Sequence, residues 1–482
     1  MENLRKIILL LIFVTPFIGV AQIPFFKKFT SGPFDQGNGI TQLPDSSYAV
    51  TGASGGFDEN SGQAYLMLID SVGNHLWTKN YGGTGDDVGV RVIHVPGDGF
   101  FIAGYTSSTP NADFDFVLYK TDETGELQWE KRYGGSDWEK LHDAKLLADG
   151  GLILVGQTEG LSTDGVDMFL VRTDALGDTL WTKTIQSPED DVAYAVDTIS
   201  STRIVVGGDM GDGGVLKGML ASFNVDGTQE WINFFDQSGI TRVRNIVVFE
   251  GHVFLFGGLY NSDQSRIDRW LGKGDFNGDY VGHWTHPYQE DAMVTAGTIR
   301  DAFSVYLGFQ TKSPELNPFQ NGNDVFTMKF GANLVYIGAS QNFSAVDEDI
   351  IHQMITANDG GIVLVGTVSD DGVNPSLGTD IMVARIGPGD EVVVSPDTGL
   401  DFVSLQEEKK SILTVFPNPT EDLIYFSDNV IGMHYEILNF QGQVVLEGVI
   451  ESTVSLHDLN SGIYVIKVQD QDQLWTGKII KR

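Results

Sequence analysis

One acidic position recurs along the chain. Counting back 17 residues from the Gly that marks each of seven buried-strand phrases, or 16 where the unit is one residue shorter, gives Asp35, Asp87, Glu139, Asp191, Thr241, Asp291 and Asp349. Six of these seven are acidic, and each stands at the start of an inner, β-branched run. If those runs surround a common axis, ring closure would set the carboxylates around one mouth of a channel. Such a ring suits Ca²⁺, which takes about six to eight oxygen ligands, or a cationic ligand. The same residue type in every unit also suits a simpler task, accepting backbone amide hydrogens to cap a turn. Repetition through the whole array favours that structural task.

Other constellations are thinner. Asp275, Asn277 and Asp279 alternate like the start of a calcium loop, but Tyr280 and His286 stand where an EF-hand needs Gly and Glu, so the stretch reads as a turn. His283 and His286 flank Trp284 with no third metal ligand in view. The chain has no Cys, which excludes thiol catalysis, Cys-ligated metal and disulfides. No Ser-centred elbow, phosphate loop or zinc signature occurs. Acidic residues are so widespread that a paired-carboxylate glycosidase site cannot be picked out. The expectation is a non-enzyme with no cofactor, calcium being the one ion the acidic ring suits.

The elements that must position these residues repeat. "IDSVGNHLWTKNYGG", "TDETGELQWEKRYGG" and "TDALGDTLWTKTIQS" are the same phrase at intervals of 52 residues. Three landmarks recur seven times between about Pro24 and Asp390: an aromatic strand, a buried strand marked by Gly, and an alternating strand that runs into a turn. The runs are short, rich in β-branched and aromatic residues, and bounded by Gly, Asp, Asn and Pro, so they are strands. Four strands per unit, repeated seven times, predict a seven-bladed β-propeller over 22–390. Asp122 caps the turn, Gly125 takes positive φ, and Trp129 opens the outer strand and wedges against the next blade. The phase makes "FFKKF" near residue 25 an orphan outer strand that completes the last blade. The turn phrases of blades four to six are degenerate.

The two ends have other tasks. Residues 1–21 combine Arg5 and Lys6, an apolar run and Gly19-Val20-Ala21, a secretory signal peptide too short to span a membrane. With 30 basic against 65 acidic residues the net charge is −35, which repels nucleic acid and anionic membrane surfaces. Residues 391–411 read as a polar linker, and 412–482 as a small β-sandwich with turns at Gln441-Gly442 and Asn460-Ser461-Gly462.

The repeat, "YGGTGDDVGVRVIHVPGDGFFIAGYTS", resembles those of secreted bacterial propellers, and Thr124-Gly125 with Trp129 is similar to the tryptophan-docking repeat of quinoprotein propellers. The C-terminal piece resembles the type A sorting domain of the type IX secretion system. It does so through Phe416-Pro417-Asn418-Pro419, the "NFQGQVV" hairpin with Gly442, the "LNSGIYVIKV" strand with Gly462, and the basic end Lys478, Lys481 and Arg482. That resemblance implies export to the surface of a Gram-negative cell, or release from it, with the secretion machinery as partner. For the propeller the expected task is recognition of a glycan, protein or surface polymer by loops on one face. The alternatives are a hydrolase or lyase acting on polysaccharide, a quinoprotein-like oxidoreductase, and a structural spacer. Non-repeating acids, His or Tyr at a channel mouth would point to catalysis; an aromatic-lined, acid-poor groove would point to glycan recognition.

Overall fold

A computed structural model of the chain describes residues 23–31, 34–58, 61–110, 112–159, 165–236, 239–262, 265–286, 291–311, 324–342, 349–369, 378–391 and 401–402, and in the C-terminal part 410–412, 415–416, 420, 422–426, 430–438, 444–450, 453–457, 459–469 and 474–482. The signal sequence over 1–21 lies outside the described residues. The chain divides into two compact units, 1–403 and 404–482.

The first unit is a ring of seven antiparallel sheets. Its inner strands are Gln36–Gln42, Asp87–Val95, Glu139–Leu146, Val192–Ser200, Ile240–Phe249, Ala292–Asp301 and Ile350–Thr356. Each packs beside the inner strands of both neighbouring blades, and the first packs beside the last. Six blades are continuous in sequence. The seventh runs from 350 to 386 and takes Phe25–Thr30 as its outer strand, Phe25 opposite Arg385 and Phe29 opposite Ile381. The N-terminal strand thus closes the ring, as the repeat phase requires. Asp401–Phe402 then pairs parallel to it, and Lys410–Ile412 joins the second unit's sheet, so strand occurs in the middle and at the C-terminal end of the expected 391–411 linker.

The core lies between blades. The middle strands are apolar on both faces, and Phe101, Phe116 and Leu118 of blade two pack against Leu141, Leu152 and Leu154 of blade three. Outer strands carry the wedge. The ring of Trp77 lies under Gly125 in the turn of the next blade, and Trp129 under Gly177; a Cβ on either glycine would meet indole carbons at 2.9 and 2.6 Å. Both glycines have positive φ, at 79° and 76°. Asp122 Oδ1 accepts from the Thr124 amide at 2.8 Å and the Glu126 amide at 3.0 Å, and Asp275 caps its own turn in the same way. In blades six and seven the left-handed turn position is held by Leu334 and Asp390 in place of Gly.

A second repeated device has no counterpart in the landmarks read above. A buried base near the end of the third strand reaches an Asp in the inner hairpin turn: Lys120 to Asp98, Arg172 to Asp149 and Arg385 to Asp359. The Arg385 guanidinium is solvent-free, so its cost of burial is offset by that carboxylate and by the Tyr48 hydroxyl.

The second unit pairs a five-stranded sheet with a three-stranded one around Ile424, Ile437, Ile450, Leu456, Ile466 and Ile479. Lys481, expected as part of a basic end, is buried, and its ammonium donates to the carbonyls of Leu456, His457 and Leu459.

Candidate functional site

The acidic positions sit where each inner strand begins, and four of them have the same partners. The Ser31 amide donates to Asp35, the Gly83 amide to Asp87 at 2.8 Å, the Gly135 amide to Glu139 at 2.8 Å and the Ser187 amide to Asp191, each from four residues upstream. A second donor comes from the adjacent strand: the hydroxyls of Ser54, Thr106 and Thr158, and the Gly211 amide at 2.8 Å. All four side chains are solvent-free, and Asp349 is buried like them. Each of the four carboxylates is therefore committed to the connection that brings the chain from the preceding blade's outer strand into its own inner strand. Among the described residues no three carboxylates or imidazoles converge on a common point.

Asp291 departs from the set. In blade six the pairing register places Ala292, opposite Thr311, where blade two has Asp87 opposite Thr106. Phe309, not Gly308, holds the place of Gly104. Asp291 is thus one residue off, and a one-residue shift turns a strand side chain to the other face. It is exposed and accepts from the Ile267 amide at 2.7 Å, as Asp86 and Asp190 accept from Gly62 and Val166.

The residues that do converge were missed by the sequence reading. Every inner strand carries a β-bulge at one level. The unpaired residues are Asn38, Val90, His142, Tyr194, Arg244, Thr295 and His352, and all seven line one end of the central channel, a cavity of about 380 Å³. A bulge re-aims a side chain out of the sheet plane, and here it aims one per blade at the axis. The legible signal was a position three residues past each turn cap, four past Asp291, whose residue type changes in every copy.

This end of the channel has a defined chemistry. Arg91, Lys140 and Arg244 line it, and among the described residues no Asp or Glu does. Arg244 stacks on Tyr194 with its guanidinium carbon 4.1 Å from the ring centre, and Tyr194 meets His142 at 5.0 Å between rings. Carboxylates behind the wall orient both guanidiniums: Asp209 holds Arg244 at 2.7 Å and Asp143 holds Arg91 at 2.7 Å. Nη2 of each arginine makes no hydrogen bond among the described residues. His142 shares a hydrogen bond with Gln157 at 2.9 Å and His352 one with Thr367 at 3.2 Å. Burial pushes both imidazoles down to about 4, so they are neutral near pH 7, and burial pushes the Tyr194 phenol up. The other end, about 410 Å³, is lined by Arg91, His94, Asp143, Lys145 and Asp197 among others, with charges of both signs.

In the second unit Gly462 opens the strand Gly462–Gln469, and the backbone of Phe416 pairs with Tyr425. Pro417, Asn418, Pro419 and Gly442 lie outside the described residues.

Residues 414–482 match the family described as the secretion system C-terminal sorting domain. No curated protein matches the chain. Solved structures with a similar fold include an ulvan lyase, 12% identical over 77% of this chain and 97% of that one with a TM-score of 0.49. Another is the β-propeller domain of the trilobed protease from Pyrococcus furiosus, 11% identical over 79% and 99% with a TM-score of 0.43. Likenesses at this level carry nothing about activity. With a seven-bladed ring in front and that family's domain behind, the chain is a secreted β-propeller protein carrying a type IX secretion C-terminal sorting domain.

Proposed function

We propose that the propeller is a binding module for an acidic glycan, which enters the mouth of the central channel lined by Arg91, Lys140 and Arg244. One observation carries this reading. In a chain with a net charge of −35, the level of the seven bulges presents Arg91, Lys140 and Arg244 and, among the described residues, no carboxylate. Fixed guanidinium donors match the geometry of a carboxylate or sulfate, and the ring of Tyr194 supplies an apolar face beside them. The neutral imidazoles of His142 and His352 add uncharged hydrogen-bonding partners for sugar hydroxyls.

The lining also carries the His and Tyr that a catalytic site would use. Hydrolysis by paired carboxylates has no support there among the described residues, none of which brings a carboxylate to the lining. Proton abstraction by an imidazole is poorly served as well: a base works best with a pKa near the operating pH, and these two sit at about 4. Binding is the better supported reading. It predicts that the full mature chain, on an array of acidic and neutral glycans, retains carboxylated or sulfated sugars. Arg244→Gln should weaken that binding about ten-fold, the worth of a charged hydrogen bond. Silence on the array, or equal retention of neutral glycans, would overturn it; an unsaturated product released from a uronate polymer would replace it with a lyase.

A further inference from the structure

Beside this mouth, on the loops of blades two and three, lies an aromatic cluster that the folding of the ring does not require. Trp138 is 41% exposed, unusual for an indole. It stands directly before Glu139, at a position that blades two and four fill with Asp86 and Asp190. The ring of Phe114 meets it edge-on at 4.9 Å, and Tyr105 meets Phe114 edge-on at 5.3 Å. Backbone hydrogen bonds pin both ends of the cluster: the Glu159 amide to the Trp138 carbonyl at 2.8 Å, and the Glu139 amide to the Phe114 carbonyl at 2.6 Å. Lys140 places its ammonium 4.9 Å from the Trp138 ring centre and 5.3 Å from that of Phe114. Tyr105 and Lys140 also line the channel mouth, so platform and cavity are continuous.

We propose that Trp138, braced by Phe114 and Tyr105, is a second subsite that stacks the sugar following the one held in the channel, with Lys140 reaching the anionic group of the stacked sugar. The ligand is then an oligosaccharide of an acidic polysaccharide, with one charged sugar at Arg91 and Arg244 and its neighbour on Trp138. This rests on the acidic-glycan reading. An indole face offers an apolar plane of sugar-ring size, and the bracing rings fix it in place, so little ordering is lost on binding. A cation over one face of the indole distinguishes a charged sugar stacked on the other from a neutral one.

Calorimetric titration of the full mature chain with glucuronate, with a glucuronate-containing trisaccharide and with a sulfated trisaccharide tests the proposal and separates carboxylate from sulfate as the anion. Trp138→Ala should weaken trisaccharide binding about ten-fold and leave glucuronate unchanged, because only the longer ligand reaches the platform. Lys140→Gln should weaken the trisaccharide in the same direction, and Arg244→Gln should weaken both ligands. A trisaccharide that binds Trp138→Ala as tightly as the parent protein, while Arg244→Gln still weakens it, overturns the platform and leaves the channel reading standing. Absence of binding by all three probes to the parent protein overturns both.

Discussion

Asp115 and Glu139 show what individual residues do in this ring. The Asp115 side chain shares a hydrogen bond with Glu139 across the junction of blades two and three, and burial raises the pKa of both carboxyl groups. A raised folded pKa means that the native state holds the proton more tightly than the unfolded chain. That contribution is complete below the unfolded carboxyl value of about 4 and is lost as pH rises through the folded value. Asp115→Asn carries the shared hydrogen permanently. Its urea midpoint should exceed that of the parent protein at about pH 7.5, and the advantage should shrink toward about pH 4.5. A constant difference at both pH values would mean that the pair shares no proton. The wider lesson is that Asp35, Asp87, Glu139 and Asp191 are spent on local hydrogen bonds, and among the described residues none of the four lines either end of the channel.

At the scale of elements, the turn and the wedge are one device. Gly177 has φ of 76° and presses on Trp129, whereas Gly251 has φ of 80° with open space around it. Alanine at Gly251 should cost only left-handed backbone strain, about 1 kcal/mol. Alanine at Gly177 adds a Cβ 2.6 Å from the indole, which must move, and should cost roughly 2–3 kcal/mol. Equal losses in denaturant titrations would show that the indole does not depend on that turn. The inner strands add a second device, the bulge that lifts one side chain per blade toward the axis. Structural uniformity at that level coexists with chemical variety, Asn, Val, His, Tyr, Arg, Thr and His in turn.

For the whole molecule, closure decides stability. Phe25–Thr30 holds the seventh blade's third strand along five paired positions, and Phe29 is solvent-free at that seam. Phe29→Ala should cost about 3–5 kcal/mol, the range for a large aromatic lost from a core. Deletion of 23–30 should leave a naked strand edge and drive self-association, seen as early-eluting species in size-exclusion chromatography. A deletion variant that stays monomeric with an unchanged melting temperature would mean that the ring does not depend on this clasp.

The sequence by itself determined the period, the strand count per blade, the clasp and the export domain. These follow from local chemistry: Asp caps and glycines of positive φ at Asp122 and Gly125, the indole of Trp129, and the apolar runs between them. Pairing register was less legible. In blade six Gly308 imitates the landmark while Phe309 occupies its place, so Asp291 was counted with residues it does not match. The channel lay beyond local reading altogether. Val90, His142, Tyr194, Arg244 and His352 are distant in sequence, and no periodicity in residue type joins them, since only the two histidines share a type. Only ring closure, which sets seven bulges at one level around one axis, gives them a shared surface.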